Sequence, residues 1–320
     1  MKLPVYRTFA EKNQMYQSQK IDTPRDFDSC YDWLRKNSDH LIFRGVREAK
    51  YKNYTSGQRA WITQRLSTTQ YTYADFIHQM LCNIRNNLVL RDYYLALKVI
   101  PNDLLYLSFL QHYGGPTPML DFTHDLDVAL FFAYDGVREN ETRYVIGDYV
   151  SLYYIDIKEC GNELVDMISL YDEYPEKIAR EVESFKTNNP NATVDDSLIR
   201  DIDKYVTWGG QGGFSNVPLG LYDGIFSQKA VNLPLSGQSL VWANLNLIAQ
   251  KGCFLCYTKS STPVEEHLSS YKYLPKMHCV DIPKSYEEYI STIIHKRREE
   301  IYPQEEDIAK MSFQEYLGQL

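Results

Sequence analysis

The stretch FLQHYGGPTPMLDFTHDLDVALFFA, residues 109–133, places polar and turn-forming residues between two apolar segments. An apolar helix over residues 104–114 is predicted to end at the Gly-Gly-Pro turn, because glycine commonly ends helices and proline cannot continue them. MLDFT (119–123) then predicts a short strand or extended loop. Asp125 or Thr123 can cap the next helix, which is apolar almost all round and is therefore expected to be buried.

Three polar side chains in or near this stretch are candidates for chemistry. His112 precedes the glycine turn, so its ring is expected to face a cleft. Asp121 lies inside an apolar run, so we expect a partly buried carboxylate with a partner such as Arg44 or His112. Paired polar groups of this kind are frequent at active sites, but a purely structural pair satisfies the same requirement. The residues alone leave both interpretations open.

Strands and helices alternate irregularly along the rest of the chain, which is typical of an α+β protein. HLIFRG (40–45) predicts a strand, and residues 239–258 predict a strand, a turn at Gln250-Lys251-Gly252 and a second strand. Further strands are predicted at residues 145–157 and 277–282, and helices at residues 23–37, 57–98, 286–302 and 305–317. We therefore expect one domain over residues 1–320, with a central mixed or antiparallel sheet, flanking helices, and a helical and loop insert at about 160–237.

Composition narrows the class of protein. The formal net charge of −8 argues against nucleic acid as a partner, since nucleic-acid binders normally carry a basic stripe. No run of 18 apolar residues and no apolar leader occur, so neither a membrane span nor a signal peptide is expected. The six cysteines are scattered, which favours reduced thiols in a cytoplasmic protein.

Two motifs that often carry chemistry give weak signals here. Cys253 and Cys256, with His278 and Cys279 downstream, could supply four zinc ligands. However, Cys253 and Cys256 lie in a predicted strand, where side chains three residues apart point to opposite faces, so no metal is expected. GGQGGF (209–214) matches neither a Walker loop nor a dinucleotide fingerprint and predicts a mobile loop.

The 109–133 stretch resembles the central motif of the FRG domain family, in which a Gln-His-Tyr-Gly helix end precedes a Pro-Thr turn, a Leu-Asp-aromatic-Thr segment and an aromatic helix. The Phe-Arg-Gly that names the family is present at residues 43–45, and a third block, Gln-x-Gly-x-Phe, matches residues 250–254. The chain departs from the family in having Pro118 after Pro-Thr, where a basic residue is usual, and Asn246 where arginine is frequent.

The order of these segments is also similar, more loosely, to ADP-ribosyltransferases of the Arg–Ser–Glu type. That resemblance implies that Arg44 binds the phosphates of NAD, as a planar guanidinium can. It places Thr123 at the Ser/Thr position and Gln250 near the position of the glutamate. Because glutamine cannot ionise, the acid role would move to Asp121.

Together the resemblances imply an NAD-using, ADP-ribosyltransferase-like enzyme of bacterial or phage origin, acting in a toxin or phage-defence setting on a nucleotide ligand or a protein target. The expected catalytic residues are Asp121, His112, Thr123 and Gln250, and the expected nucleotide-binding residues are Arg44, Gly45, Gln111 and Tyr113. The alternative is a non-catalytic module that binds a nucleotide or a protein, which the missing glutamate favours. Nucleic-acid cleavage is a third hypothesis, but it lacks a carboxylate cluster with a clear metal geometry.

Overall fold

A mixed sheet of eight strands forms the centre of the protein in its computed structural model, which describes residues 2–96, 103–138, 144–160, 164–209, 219–223, 245–258, 260–270 and 277–304. The strands are, in chain order, β1 (Gln17–Lys20), β2 (Leu41–Val46), β3 (Met119–Thr123), β4 (Tyr149–Asp156), β5 (Val165–Asp166), β6 (Gly220–Tyr222), β7 (Gly252–Cys256) and β8 (His278–Pro283). Their order across the sheet is β1-β8-β4-β2-β3-β7-β6-β5. The two edge pairs, β1 with β8 and β5 with β6, are parallel, and the other neighbours are antiparallel. The predicted α+β class with a mixed sheet is confirmed.

Helices pack around this sheet and at its ends. Within the described residues they are α1 (Phe9–Lys12), α2 (Pro24–Lys36), α3 (Ser56–Thr63), α4 (Tyr73–Arg85), α5 (Leu88–Ala96), α6 (Asp103–His112), α7 (Leu126–Tyr134), α8 (Met167–Asp172), α9 (Tyr174–Asn188), α10 (Asp196–Lys204), α11 (Leu245–Ala249), α12 (Val264–Ser270), α13 (Glu287–Ile293) and α14 (Arg298–Ile301). Threonine capping boxes begin α2, α3 and α4, where each threonine and the side chain three residues later bond to one another's backbone N–H groups. None of the described helices has the length and apolar character that a membrane crossing requires.

Helix α7 lies against β2 at very short range. Asp125 begins this helix by accepting hydrogen bonds from the backbone N–H groups of Asp127 and Val128, which confirms one of the two predicted caps. The approach is closest at Gly45, where a Cβ atom would lie 2.6 Å from the backbone nitrogen of Ala133 and closer still to the carbonyl oxygen of Ala129. Only glycine leaves room for the helix backbone here.

The sheet opens between β2 and β3. β2 pairs with β4 over its whole length, but it pairs with β3 only at Phe43 and Thr123. The same antiparallel register would next place Gly45 opposite Asp121, and that pair does not form. β3 remains fully paired with β7 on its other side. A gap in the middle of the sheet is the result.

Alternate strand residues supply core on the two faces of the sheet. Phe43 packs with α2 and α7 on one face, whereas Ile42 packs with Tyr153 and Leu120 on the other. β7 follows the same rule, because Cys253 belongs to the Ile42 cluster and Cys256 to a third cluster built with α3 to α6. The two thiols therefore point away from each other, as the strand prediction required.

A buried ion pair joins α1 to the sheet. The ammonium of Lys12 lies 2.5 Å from a carboxylate oxygen of Asp281, and both side chains are essentially unexposed. Ser151 contributes its hydroxyl to the same carboxylate, at 2.6 Å, and the ring of Tyr153 lies 5.0 Å from the ammonium. Sealed from solvent in this way, the group fixes the N-terminal segment on β4 and β8 and has no route to a substrate.

Two predicted elements differ from the structure. Residues 245–249 form helix α11 rather than a strand, and Leu247 packs back over Gly252. Periodicity cannot distinguish the two states in so short an apolar run. The single helix predicted over 286–302 is broken into α13 and α14, since the chain becomes extended at Ile294 after a run rich in β-branched residues.

The segment predicted as an insert also contributes to the sheet. Besides helices α8, α9 and α10, it supplies β5 and β6, which extend the sheet beyond β7. Its boundary at about 160–237 stays a prediction, since residues 210–218 and 224–244 lie outside the described residues. The loop glycines 210–214 and the predicted helix at 305–317 lie outside them as well.

Replacing Gly45 with alanine is expected to lower the free energy of unfolding by roughly 3 kcal/mol or more, since the added methyl group must displace the backbone of α7. Urea denaturation of both proteins measures the difference. Gly114→Ala is the matched control: Gly114 has φ of +77° but no atom within 4 Å of an added Cβ. Its cost is that of backbone strain, about 1 kcal/mol. Equal losses in the two variants would contradict the steric explanation.

Candidate functional site

A cleft of about 670 Å³ occupies the gap between β2 and β3. This volume is within the usual range for small-molecule sites, roughly 300–1,000 Å³. Its polar walls come from Arg44, Arg47, Arg59, Gln111, His112, Asp121, Thr123, Asp135, Asn246 and Gln250. Rings of Tyr51, Phe132 and Tyr302 add apolar surface. Of the residues predicted for the site, Tyr113 alone is not part of this wall.

Arg44 bridges the gap in the sheet. Its Nη1 donates to the backbone carbonyl oxygen of Asp121 at 2.8 Å, and its Nε donates to Oδ1 of Asn53 at 3.1 Å. The carbonyl of Asp121 faces β2 where strand pairing has stopped, so the guanidinium supplies the hydrogen bond that a strand partner would have given. Burial lowers the pKa of Arg44, and the carboxylate of Asp121 opposes that shift. Nη2 makes no hydrogen bond to any described residue.

The carboxylate of Asp121 is not the buried group that the sequence predicted. Asp121 is exposed to the cleft, and Nε2 of Gln111 donates to its Oδ1 at 2.9 Å. Within the described part of the chain neither Arg44 nor His112 forms an ion pair with it; Arg44 binds its main chain instead. The expectation failed because alternation along β3 puts this side chain on the opposite face of the sheet from Leu120 and Phe122, beside the gap, where it is exposed to the cleft. Gln111 is fixed in turn by the hydroxyl of Thr117, which donates to its Oε1.

His112 is the last residue of α6 and lines the cleft, and Tyr113 follows it in the chain. Partial desolvation lowers the pKa of His112 below its ordinary value, which favours the neutral form of the ring. Tyr113 is 70% exposed and packs edge-on against His112, with ring centroids 4.6 Å apart. Tyr113 was predicted to bind the nucleotide, but it lies outside the cleft wall.

Thr123 and Gln250 line the cleft, and their side chains form hydrogen bonds with backbone groups of the protein. The hydroxyl of Thr123 donates to the backbone carbonyl of Gln250 at 2.6 Å and accepts from the backbone N–H of Asp125 at 2.9 Å. Gln250 donates from Nε2 to the carbonyl of Ile301 at 3.0 Å, which ties α14 to the cleft wall.

A buried network holds Arg44 from behind. Asn53, which accepts from Arg44, donates its backbone N–H to Oε1 of Glu265 at 3.0 Å. The hydroxyl of Tyr6 donates to the same carboxylate oxygen at 2.9 Å, and Tyr16 accepts from the Asn53 amide at 3.1 Å. Burial raises the pKa of Glu265, and the hydrogen bonds that it accepts oppose the shift. Three distant parts of the sequence thus fix the orientation of one guanidinium.

Sequence reasoning did not find Arg47, Arg59, Asn53 or Glu265. Arg59 comes from α3, and Asn53 lies in the connection before that helix; both follow the Phe-Arg-Gly strand by fewer than twenty residues. Proximity to that strand was the available signal. Glu265 carries no local signal, because it follows an ordinary proline turn more than two hundred residues later.

Charge in the cleft is unevenly distributed. Asp135 is already paired with Arg298 at 2.5 Å and accepts from Arg47 at its backbone carbonyl. Asp121 is the other carboxylate in the wall, against the guanidinium groups of Arg44 and Arg59. The end of the cleft beside these two arginines therefore has an excess of positive charge. No group of three or more His, Cys, Asp or Glu side chains among the described residues is arranged to hold a metal ion.

Arg44→Ala is expected to lower the free energy of unfolding by about 1–3 kcal/mol, because it leaves the carbonyl of Asp121 without a partner in the gap. Chemical denaturation measures the loss. Arg47→Ala, which removes an exposed arginine from the same strand end, should cost no more than about 0.5 kcal/mol. An unchanged free energy of unfolding in Arg44→Ala would show that water replaces the guanidinium without loss of stability.

Comparison with known protein families identifies part of the chain. Residues 39–142 match the family model described as FRG domain, and they include the Phe-Arg-Gly strand, Arg59 and the whole 109–133 stretch. Gln250 and the third block of the resemblance lie outside the matched residues. No curated protein and no solved structure matches the chain. The resemblance stated from the sequence is confirmed at this level: the chain contains an FRG domain, which spans residues 39–142.

Proposed function

We propose that the cleft binds NAD or a related nucleotide and that the protein is an ADP-ribosyltransferase-like enzyme. One observation carries the proposal. A guanidinium that is fixed at two of its nitrogens, and whose Nη2 donates to no described residue, lines the cleft beside an exposed carboxylate. An anion and a developing cation could therefore be bound at neighbouring positions.

Arg44 is the phosphate-binding residue in this proposal. Its rotamer is fixed by Asn53 and by the carbonyl of Asp121, so little conformational entropy remains to be lost on binding. Charge-assisted hydrogen bonds from a guanidinium to a phosphate are among the stronger polar contacts in proteins. Burial of Arg44 strengthens such a contact by lowering the local dielectric constant.

Asp121 is the residue that acts on the sugar. When bound, NAD would supply a bond between ribose and nicotinamide whose cleavage leaves positive charge on the ribose. A carboxylate held in one orientation by Gln111 stabilises that charge without reorganisation. Thr123 and Gln250 take a positioning role, because their hydrogen bonds hold the wall of the cleft.

A second candidate is a non-catalytic module that binds a nucleotide through the same cleft. The hydrogen bonds of Thr123 and Gln250 favour it, since neither side chain is free to take part in a reaction without breaking a contact within the protein. The bacterial toxin or phage-defence setting implied by the resemblance is compatible with either candidate and belongs to this proposal.

Isothermal titration with NAD tests the binding step. Wild type is expected to bind, and Arg44→Lys is expected to weaken binding by about tenfold or more, because lysine keeps the charge but loses the planar pair of donors. Arg91→Ala, which removes an exposed arginine on α5 outside the cleft, is the matched control and should bind as wild type does. No heat of binding with wild-type protein would reject NAD as the ligand.

Release of labelled nicotinamide tests the chemical step. Asp121→Asn is expected to reduce release to background, while its free energy of unfolding stays within about 0.5 kcal/mol of wild type because the side chain is exposed. Unfolding curves of the same preparations provide the control. Binding of NAD by wild type with no release of nicotinamide would decide in favour of the non-catalytic module.

A further inference from the structure

Arg59 enters the cleft from α3, beside Arg44. Its Nη1 donates to the backbone carbonyl of Tyr54 at 2.9 Å, and its other nitrogens donate to none of the described residues. Partial desolvation lowers the pKa of Arg59, the nearby positive charge of Arg44 lowers it further, and the carboxylate of Asp121 opposes the shift. Arg44 and Arg59 are thus held by two different backbone carbonyls, and most of the N–H groups on each guanidinium remain available to a ligand.

Two cations held side by side need an anion between them. Asp121 offsets only part of this charge: its carboxylate favours the charged form of both arginines, but it accepts from Gln111 and makes no ion-pair contact with either of them among the described residues. Asp135 is paired with Arg298. Two positive charges thus face one carboxylate in this part of the wall, and the excess positive charge favours an anionic ligand.

We propose that Arg44 and Arg59 together bind a diphosphate, one phosphate to each guanidinium, so that the ligands of the cleft are nucleoside diphosphates and their derivatives. Two separately anchored guanidinium groups fit two linked phosphates better than one, because neither side chain can swing to share a single phosphate without leaving its backbone carbonyl. This inference rests on the proposed function, since NAD belongs to the same chemical class.

Titration with ADP and with AMP isolates the second phosphate, because the two nucleotides differ only in that group. Wild type is expected to bind ADP about tenfold more tightly than AMP, as one additional charge-assisted contact predicts. Arg59→Gln should reduce that preference to about twofold or less while leaving AMP affinity nearly unchanged. Arg59→Lys, which keeps the charge without the planar fork, should retain an intermediate preference.

Arg47→Gln is the charge-matched control. It removes one positive charge from the same cleft at the end beside Asp135, so it should weaken ADP and AMP by similar factors and preserve their ratio. Thermal unfolding confirms that each variant is folded. If Arg59→Gln proves unstable, the comparison of wild type with Arg59→Lys decides.

The outcomes separate this inference from the proposed function. Equal affinities for ADP and AMP in wild type, or an unchanged ratio in Arg59→Gln, would overturn the diphosphate assignment and leave a single phosphate at Arg44. If Arg47→Gln lost the preference for ADP over AMP as fully as Arg59→Gln, overall charge would explain that preference, and the diphosphate assignment would be overturned as well. Binding of ADP without binding of NAD would support the diphosphate site and reject NAD. Failure of both ADP and AMP to bind would reject both proposals.

Discussion

The arrest of pairing between β2 and β3 after Phe43 and Thr123 is the constraint on which the rest of the site depends. An opening in the middle of a sheet exposes backbone groups that must find partners. The three residues of the Phe-Arg-Gly strand each answer part of this requirement. Phe43 makes the last pair with β3 and packs against α7. Arg44 donates to the carbonyl of Asp121, which has no strand partner. Gly45 lets α7 lie close against β2. The cleft is what remains in front of them.

Structural and functional interpretations of Arg44 are therefore not alternatives. One nitrogen of the guanidinium replaces a strand partner, a second is held by Asn53, and the third, on a side chain that lines the cleft, donates to no described residue. The cost of orienting a buried cation is met by a network that reaches Glu265, whose carboxylate accepts from Asn53 and Tyr6. Such a network is stable only when its members are all satisfied, which makes the orientation of Arg44 specific.

Local sequence patterns predicted the elements that create the cleft but not everything that fills it. The strand before Gly45, the strand over 119–123 and the capped apolar helix after Asp125 have short-range signals, and all three are present. The exposure of Asp121 was missed because it depends on the missing pair between β2 and β3, which no local pattern records. Arg59 was missed for a related reason: an exposed arginine on a helix looks like any solvated side chain until α3 is packed against β3.

Long-range contacts explain the remaining differences. The sequence context predicts an ordinary surface lysine at position 12. In the structure Lys12 is buried against Asp281, which lies 269 residues away in the chain. The apolar run at 245–249 gave no sign of being helical until Leu247 was packed over Gly252. In both cases the deciding interaction is tertiary, and periodicity cannot detect it.

The distribution of charge in the cleft restricts how a nucleotide could lie there. A phosphate beside Arg44 is drawn toward the positive charge of Arg59 and is repelled by the carboxylate of Asp121. The uncharged parts of the ligand are left with the opposite end, where the rings of Phe132 and Tyr302 lie 6.0 Å apart. Arg298 covers Tyr302 at 5.2 Å and also pairs with Asp135, so α14 lies at that end, where Arg47 adds a positive charge held only by the backbone carbonyl of Asp135. A ligand bound as proposed would thus have its phosphates at the arginine end and its sugar at Asp121, which is the orientation that the proposed chemistry needs.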